Sequence, residues 1–376
     1  MKAPLLVLLL AAGNVTFADT IEQLIESTKS NIPETQIQAT DGLVDHYLPG
    51  YLKTGLSGMI SKAGTSVKAK FTDVNTQTIE PWIQVRPDVI EALGRLATGG
   101  SSFLSRANAV RALGILRAKA ALPQIGEALK SRDSQVLYES LIALQKIRDP
   151  QTAPLFVHLI GDLDERIQMT AMETAGVMAA KPAAPAIQEA LGKTRSNKVR
   201  RMAITSLAMI ADPSSRPVFE QYFNDKDDQL RGSAAEGFGR LRNPADRERI
   251  DKAYESEKKT GPKLSLAFAS ALLGNRAIAT GTPISYLIDQ LDSRFFHDTA
   301  KPFLVELTRD AELRKSIYPS MRTASKKEKI RLAQALAISG DKDTVKVLEA
   351  VSMDPDTEVA AEGIKAVRAL KAQLGL

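Results

Sequence analysis

The sequence predicts an all-α solenoid, about nine helix pairs stacked side by side, preceded by a segment outside the repeat. Three observations carry that reading. Small residues recur at a fixed spacing, helix-capping residues recur in register with them, and prolines recur at the unit boundaries.

The small residues set the period. Ala112, Ala143, Thr174, Ser206 and Gly237 stand 31, 31, 32 and 31 residues apart; Ala271 follows at 34, Ala335 after a further 64, and Ala366 at 31. Seven residues before these anchors come Ser105, Val136, Ile167, Val199, Leu230, Leu264, Glu328 and Val359, and four after them Leu116, Ile147, Met178, Ile210 and Leu241. Offsets of seven and four keep apolar side chains on one stripe of a helix. Ten residues before the anchors stand Ser102, Asp133, Asp164, Ser196, Asp227, Gly261, Ser325 and Asp356. All but Gly261 are residues that cap a helix by accepting a bond from its free first-turn amides. Asp149-Pro150, Asp212-Pro213 and Asn243-Pro244 are expected to end helices, which proline cannot continue. Pro123, Pro154, Pro185 and Pro217, eleven residues after their anchors, open the next helix, where proline is tolerated. Each unit is therefore a proline-initiated helix, a turn and a Ser- or Asp-capped helix.

The pattern Val199-Arg200-Arg201-Met202-Ala203, Ser206-Leu207, Asp212-Pro213 resembles the HEAT-like repeat of phycobilin lyases and many other bacterial proteins. The resemblance covers residues 87–376 and implies a solenoid whose second helices line a concave face. It speaks to fold rather than chemistry, because these columns build the core. One unit, 281–311, departs from it. Pro283 to Ile288 suits a first helix, but Phe295 to Thr308 lacks the small-residue column, and Phe295, Phe296 and Phe303 are expected to fill the space as drift within the repeat. A local docking point is the alternative.

Residues 19–86 lie outside the repeat. Thr20 to Ser30 reads as a short helix, Leu43 to Ile60 is rich in Gly and Tyr, and Val67 to Val85 mixes β-branched, polar and aromatic residues. A stack must cover its terminal apolar face, so the segment is expected to act as a cap; a docking arm is the alternative. Residues 1–18 read as a signal peptide: Lys2, the apolar run Pro4 to Ala12, then Thr16-Phe17-Ala18 before a cut after Ala18. The chain is thus expected to be exported, periplasmic or secreted, with no transmembrane segment in its mature form.

With no cysteine, the chain has no disulfide, thiol nucleophile, cysteine-ligated metal or lipidated cysteine. His46, His158 and His297 are scattered, with no His-Glu pair of the kind with which deoxyhypusine hydroxylase, another enzyme of this repeat type, holds iron. No Gly-rich phosphate loop or nucleophile elbow occurs. Asp162, Asp164 and Glu165, and the run Asp225-Lys226-Asp227-Asp228, read as turn and cap residues. The expectation is no catalytic residue, no metal and no cofactor. The net charge is +6, spread along the chain. Arg106, Arg200, Arg231 and Lys329 share a column one turn after the caps, and pairing with cap aspartates of the same or a neighbouring repeat is expected in place of nucleic-acid binding.

What remains is the concave face. Positions two after the aliphatic column and one before the anchor give Tyr138, Met169 and Arg201, then Ile142, Glu173, Thr205 and Glu236, with Arg111 and Arg240 nearby. Their mixture of aromatic, thioether and charged groups suits protein recognition. The sequence thus predicts an exported, non-catalytic interaction scaffold with a protein partner and no nucleic acid. A lyase related to phycobilin lyases, or a binder of an anionic envelope polymer, is the rival reading.

Overall fold

The computed structural model describes residues 20–51, 67–72, 78–80 and 82–376. The predicted signal peptide, 1–18, lies outside them. Every regular element among the described residues is helical. Three helices precede the repeats: α1 (Ile21–Ser27), α2 (Pro33–Tyr47) and α3 (Val67–Phe71). Nine pairs then follow. They are α4 (Pro87–Gly99) with α5 (Phe103–Ile115), α6 (Leu122–Ala128) with α7 (Ser134–Ile147), and α8 (Ala153–Phe156) with α9 (Glu165–Val177). Next come α10 (Ala184–Lys193) with α11 (Asn197–Ile210), α12 (Arg216–Tyr222) with α13 (Asp228–Leu241), and α14 (Arg247–Ser256) with α15 (Thr260–Leu272). Last are α16 (Pro283–Asp289) with α17 (His297–Leu307), α18 (Ala311–Ile317) and the single turn α19 (Ser320–Thr323) with α20 (Lys326–Ser339), and α21 (Lys342–Val351) with α22 (Thr357–Leu374). Each second helix packs on the second helices before and after it, from α5 through to α22.

The caps set the phase of the stack. Ser102, Asp133, Asp164, Ser196, Asp227, Ser325 and Asp356 are all N-caps whose side chains accept a first-turn amide. At Gly261 the column fails: α15 begins at Thr260, and Glu257 takes the amides of Lys258 and Lys259 instead.

Helices α7, α11 and α13 end at Ile147, Ile210 and Leu241, just before the Asp-Pro and Asn-Pro pairs. Five second helices exit through left-handed residues five after the anchors, Arg117, Arg148, Ala179, Ala211 and Arg242, with φ between 48° and 60°; Arg148, Ala211 and Arg242 stand directly before those pairs. Asp149, Asp212 and Asn243 then cap a 3-10 turn opened by the proline that follows each. None of the five is glycine, although the conformation costs an L-residue about 1 kcal/mol. The turn into the next helix fixes them there.

The small-residue columns let backbones approach. A Cβ added at Gly114 would lie 2.7 Å from Ala143 Cα, and one at Gly239 2.6 Å from Ala269 Cα. At the N-terminal end, α1 lies against α4, and α2 against α4 and α5. Leu24, Leu43 and Val44 are buried there, and Gln36 Oε1 accepts from both the backbone and the hydroxyl of Ser101. Helix α2 has no counterpart in the sequence reading.

In the irregular unit, Phe303 is fully buried and stacks on Phe268 at 4.4 Å. Phe296 is half-buried, but Phe295 is 79% exposed and fills nothing. The expectation that three phenylalanines replace the missing column therefore fails for Phe295, which sits in the turn before α17.

Candidate binding surface

Helix α3, from the segment outside the repeat, packs against the second helices α9 and α17. Side chains leave a helix about 100° apart per residue, so successive residues of α3 reach different walls. Lys68 Nζ is 2.5 Å from Glu236 on α13 and 4.6 Å from the Phe303 ring on α17. Ala69 is buried with Val305 and Ala335, beside Ile338. Lys70 Nζ is 2.7 Å from Glu173 on α9. The guanidinium of Arg148 donates to the carbonyls of Lys70 and Phe71, the latter at 2.9 Å, so a cation closes the negative end of the short helix. Arg240 lies 5.7 Å from the Phe71 ring.

The acids that receive α3 are also held by the stack. Glu236, with 1% of its side chain exposed, accepts from Arg240 at 3.1 Å and from the Ser265 hydroxyl at 2.8 Å. Arg240 spans to Glu306 with bonds of 3.0 and 2.9 Å. Burial alone would raise Glu236, but Lys68 and Arg240 together hold its carboxyl below the usual range. Burial alone would lower Arg240, and the carboxylates of Glu306 and Glu236 raise it. Glu173 accepts from Gln145 Nε2 at 3.1 Å. Beside Lys68 opens a cleft of about 320 Å³ lined by Thr205, Gly232, Glu236, Ser265 and Thr299.

Tethering at both ends, as at Thr78, whose hydroxyl accepts from Arg117 at 2.8 and 3.0 Å, keeps the helix local to its seat.

The residues predicted for the concave face divide into three groups. Glu173, Glu236 and Arg240 converge on α3, with Thr205 beside them, buried and bonded to Ser233 at 2.9 Å. Tyr138, Ile142 and Met169 are half-buried, the Tyr138 ring lying 3.9 Å below the Arg166 guanidinium. Arg111 and Arg201 serve the stack: Arg111 bonds Asn108 and lies 3.9 Å from Asp41 of α2, and Arg201 holds the α13 cap Asp227 at 2.5 Å. Lys68, Lys70, Arg148 and Glu306 were absent from the sequence reading, which named Phe303 only as a filler of the irregular unit. An arginine at the left-handed exit position of two successive repeats, Arg117 and Arg148, was the available signal; both reach the 67–80 segment.

The basic column is engaged, though with other partners than the caps. Arg231 meets Glu257 at 2.7 Å and Asp228 at 3.0 Å, and Lys329 meets Asp354 at 2.8 Å. Arg106 bonds the Gly100 carbonyl and Arg200 the Asn197 side chain. Caps of a following repeat are reached by other cations, among them Arg201 and Lys326, the latter 3.1 Å from Asp356. The difference follows from side-chain direction, since a helical side chain leans toward its own N-terminus and meets the turn before the next cap. Among the described residues, no three of His, Asp and Glu gather into a set able to hold a metal ion, and no helix is long and apolar enough to cross a membrane.

A family model described as HEAT repeats matches residues 90–176, 154–239 and 184–259. No curated protein matches the sequence. Among solved structures, the chain is similar to an engineered protein, at 18% identity and TM-score 0.41 over 93% of this chain and 98% of that one. It is similar to the complex of CpcE and CpcF of phycocyanin lyase from a Nostoc species, at 18% identity and TM-score 0.39 over 75% and 97%. It is also similar to importin beta, at 13% identity and TM-score 0.37 over 93% of this chain and 50% of that one.

Proposed function

With HEAT repeats present across residues 90–259, we propose that this chain is an exported, non-catalytic scaffold that binds a protein partner on the inner face of its stack. One observation carries the reading. The inner face holds carboxylates, Glu173 and Glu236, that are positioned by the repeats themselves and engaged by lysines from outside the repeats. Tyr138, Ile142 and Met169 add a half-exposed apolar strip on the neighbouring helices α7 and α9. Such a surface suits a partner with cationic and apolar groups.

The test is site-specific photo-crosslinking in intact cells. A photoreactive residue at Met169 is expected to give one adduct of defined mass with an envelope protein, while one at the exposed Glu189 gives none. Equal adduct patterns at both positions would refute the inner-face assignment. Export is read independently, by mass spectrometry of the mature N-terminus, expected at Asp19.

A further inference from the structure

We infer that the inner face is a receptor socket for a Lys-x-Lys-aromatic segment of the partner protein, and that α3, Lys68-Ala69-Lys70-Phe71, is a stand-in for it within the same chain. The inference rests on the scaffold reading and names what the scaffold binds.

Four features carry it. The first is charge complementarity: the two lysines of α3 meet Glu236 and Glu173, carried by different repeats. The second is that the socket survives vacancy. Glu236 keeps Arg240 and Ser265 when Lys68 leaves, and Glu173 keeps the Gln145 amide when Lys70 leaves, so each acid retains a hydrogen-bond donor from the stack. The third is the slightness of α3 itself. Five residues are far too few to hold a helix alone, and Ala69 is sealed against the stack. The fourth is the irregular unit. The repeat that abandons the small-residue column is the one that turns Phe303 and Val305 toward α3. Its sequence is shaped by what lies in the socket as well as by the neighbouring repeats, which gives the docking-point reading of residues 281–311 a physical content.

A partner presenting the same spacing of cations, a small residue between them and an aromatic after them would compete with α3 for one seat. Tethering favours α3 until the partner's local concentration or additional contacts exceed it. Binding then releases α3, so the partner's arrival and the freeing of this segment are a single event.

The experiment uses the full chain and a fluorescent peptide of residues 65–74. In Lys68→Ser/Lys70→Ser the socket is vacated; this variant is expected to bind the peptide saturably and at least tenfold more tightly than wild type. Adding Glu173→Gln/Glu236→Gln should weaken binding at least tenfold, and a peptide with both lysines replaced by glutamate should not bind. A folded variant that does not bind, or that binds no better than wild type, overturns the proposal. So does a variant that fails to fold, because the proposal requires a stack stable without α3. In wild type the α3 amides should exchange hydrogen at least a hundredfold faster than those of α13; equal protection also overturns it. A wild-type dimer that the peptide dissociates would assign the socket to a second copy and remove the separate partner. Photo-adducts at Met169 without peptide binding would leave the scaffold reading standing and sink the socket alone.

Discussion

Arg240→Met isolates the charge network under α3. The guanidinium has 5% of its side chain exposed and joins Glu236 to Glu306. It also lies 4.7 Å from the Phe268 ring, and methionine keeps that packing while removing the charge. Breaking a buried pair by deleting one member costs about 3 to 5 kcal/mol, mostly from the charge left behind. Lys68 stays beside Glu236, so the expected loss is at the lower end, about 3 kcal/mol. In a chain of this size that corresponds to a melting temperature lower by roughly 5 °C. Urea unfolding followed by circular dichroism at several wavelengths measures it, and coincident transitions test whether the stack melts as one unit. Replacing Glu236 and Glu306 by glutamine in the same chain should recover about half of the loss, because no buried acid is then stranded. A loss below about 1 kcal/mol, or a triple variant no more stable than Arg240→Met, would refute the reasoning.

Three further outcomes follow from the same geometry. Ala179→Gly and Ala211→Gly, at φ of 49° and 53°, should each stabilise the chain by about 0.5 kcal/mol, the left-handed strain relieved exceeding the entropy that glycine adds to the unfolded chain; a lower urea midpoint for either would contradict this. Gly239→Ala should cost about 1 to 3 kcal/mol, as its Cβ would press on Ala269. Gly192→Ala, with nothing within 4 Å, should stabilise slightly or change nothing, and equal effects at the two sites would remove the close-approach argument. Glu236 is held below the usual carboxylate range in the folded chain, so its contribution is complete above its unfolded pKa and is lost as pH falls through the folded one. Between about pH 5 and pH 3, Glu236→Gln should therefore lose less stability than wild type, measured as urea midpoints against pH.

The repeat was legible because its determinants are local. A capping side chain acts on amides two or three residues away, so Asp133 or Asp227 announces its helix wherever the helix packs. The exits were less so: Ala211 carries no mark of its left-handed backbone, which the following Asp212-Pro213 turn imposes. Of the binding face, Glu173, Glu236 and Arg240 could be placed by period alone, since each stands in register with its repeat anchor. Their partners could not. Lys68 and Lys70 lie in a stretch without periodicity, and the Lys70–Glu173 contact spans 103 residues of sequence, the Lys68–Glu236 contact still more. Arg111 and Arg201 show the converse limit. Their positions suggested an open face, yet α2 and the next cap lie beside them. Period fixes which face a residue occupies, and only the neighbouring element decides whether that face is free.

Zero-length carbodiimide crosslinking of the wild-type chain, read by mass spectrometry, tests the central claim most directly. The exposed pair Lys193–Glu189, at 2.5 Å, serves as the internal standard. The account predicts an amide between Lys70 and Glu173, 2.7 Å apart, whose yield falls as the 65–74 peptide is added while the Lys193–Glu189 yield holds. A strong standard crosslink with none between Lys70 and Glu173, or a Lys70–Glu173 yield indifferent to the peptide, would contradict it.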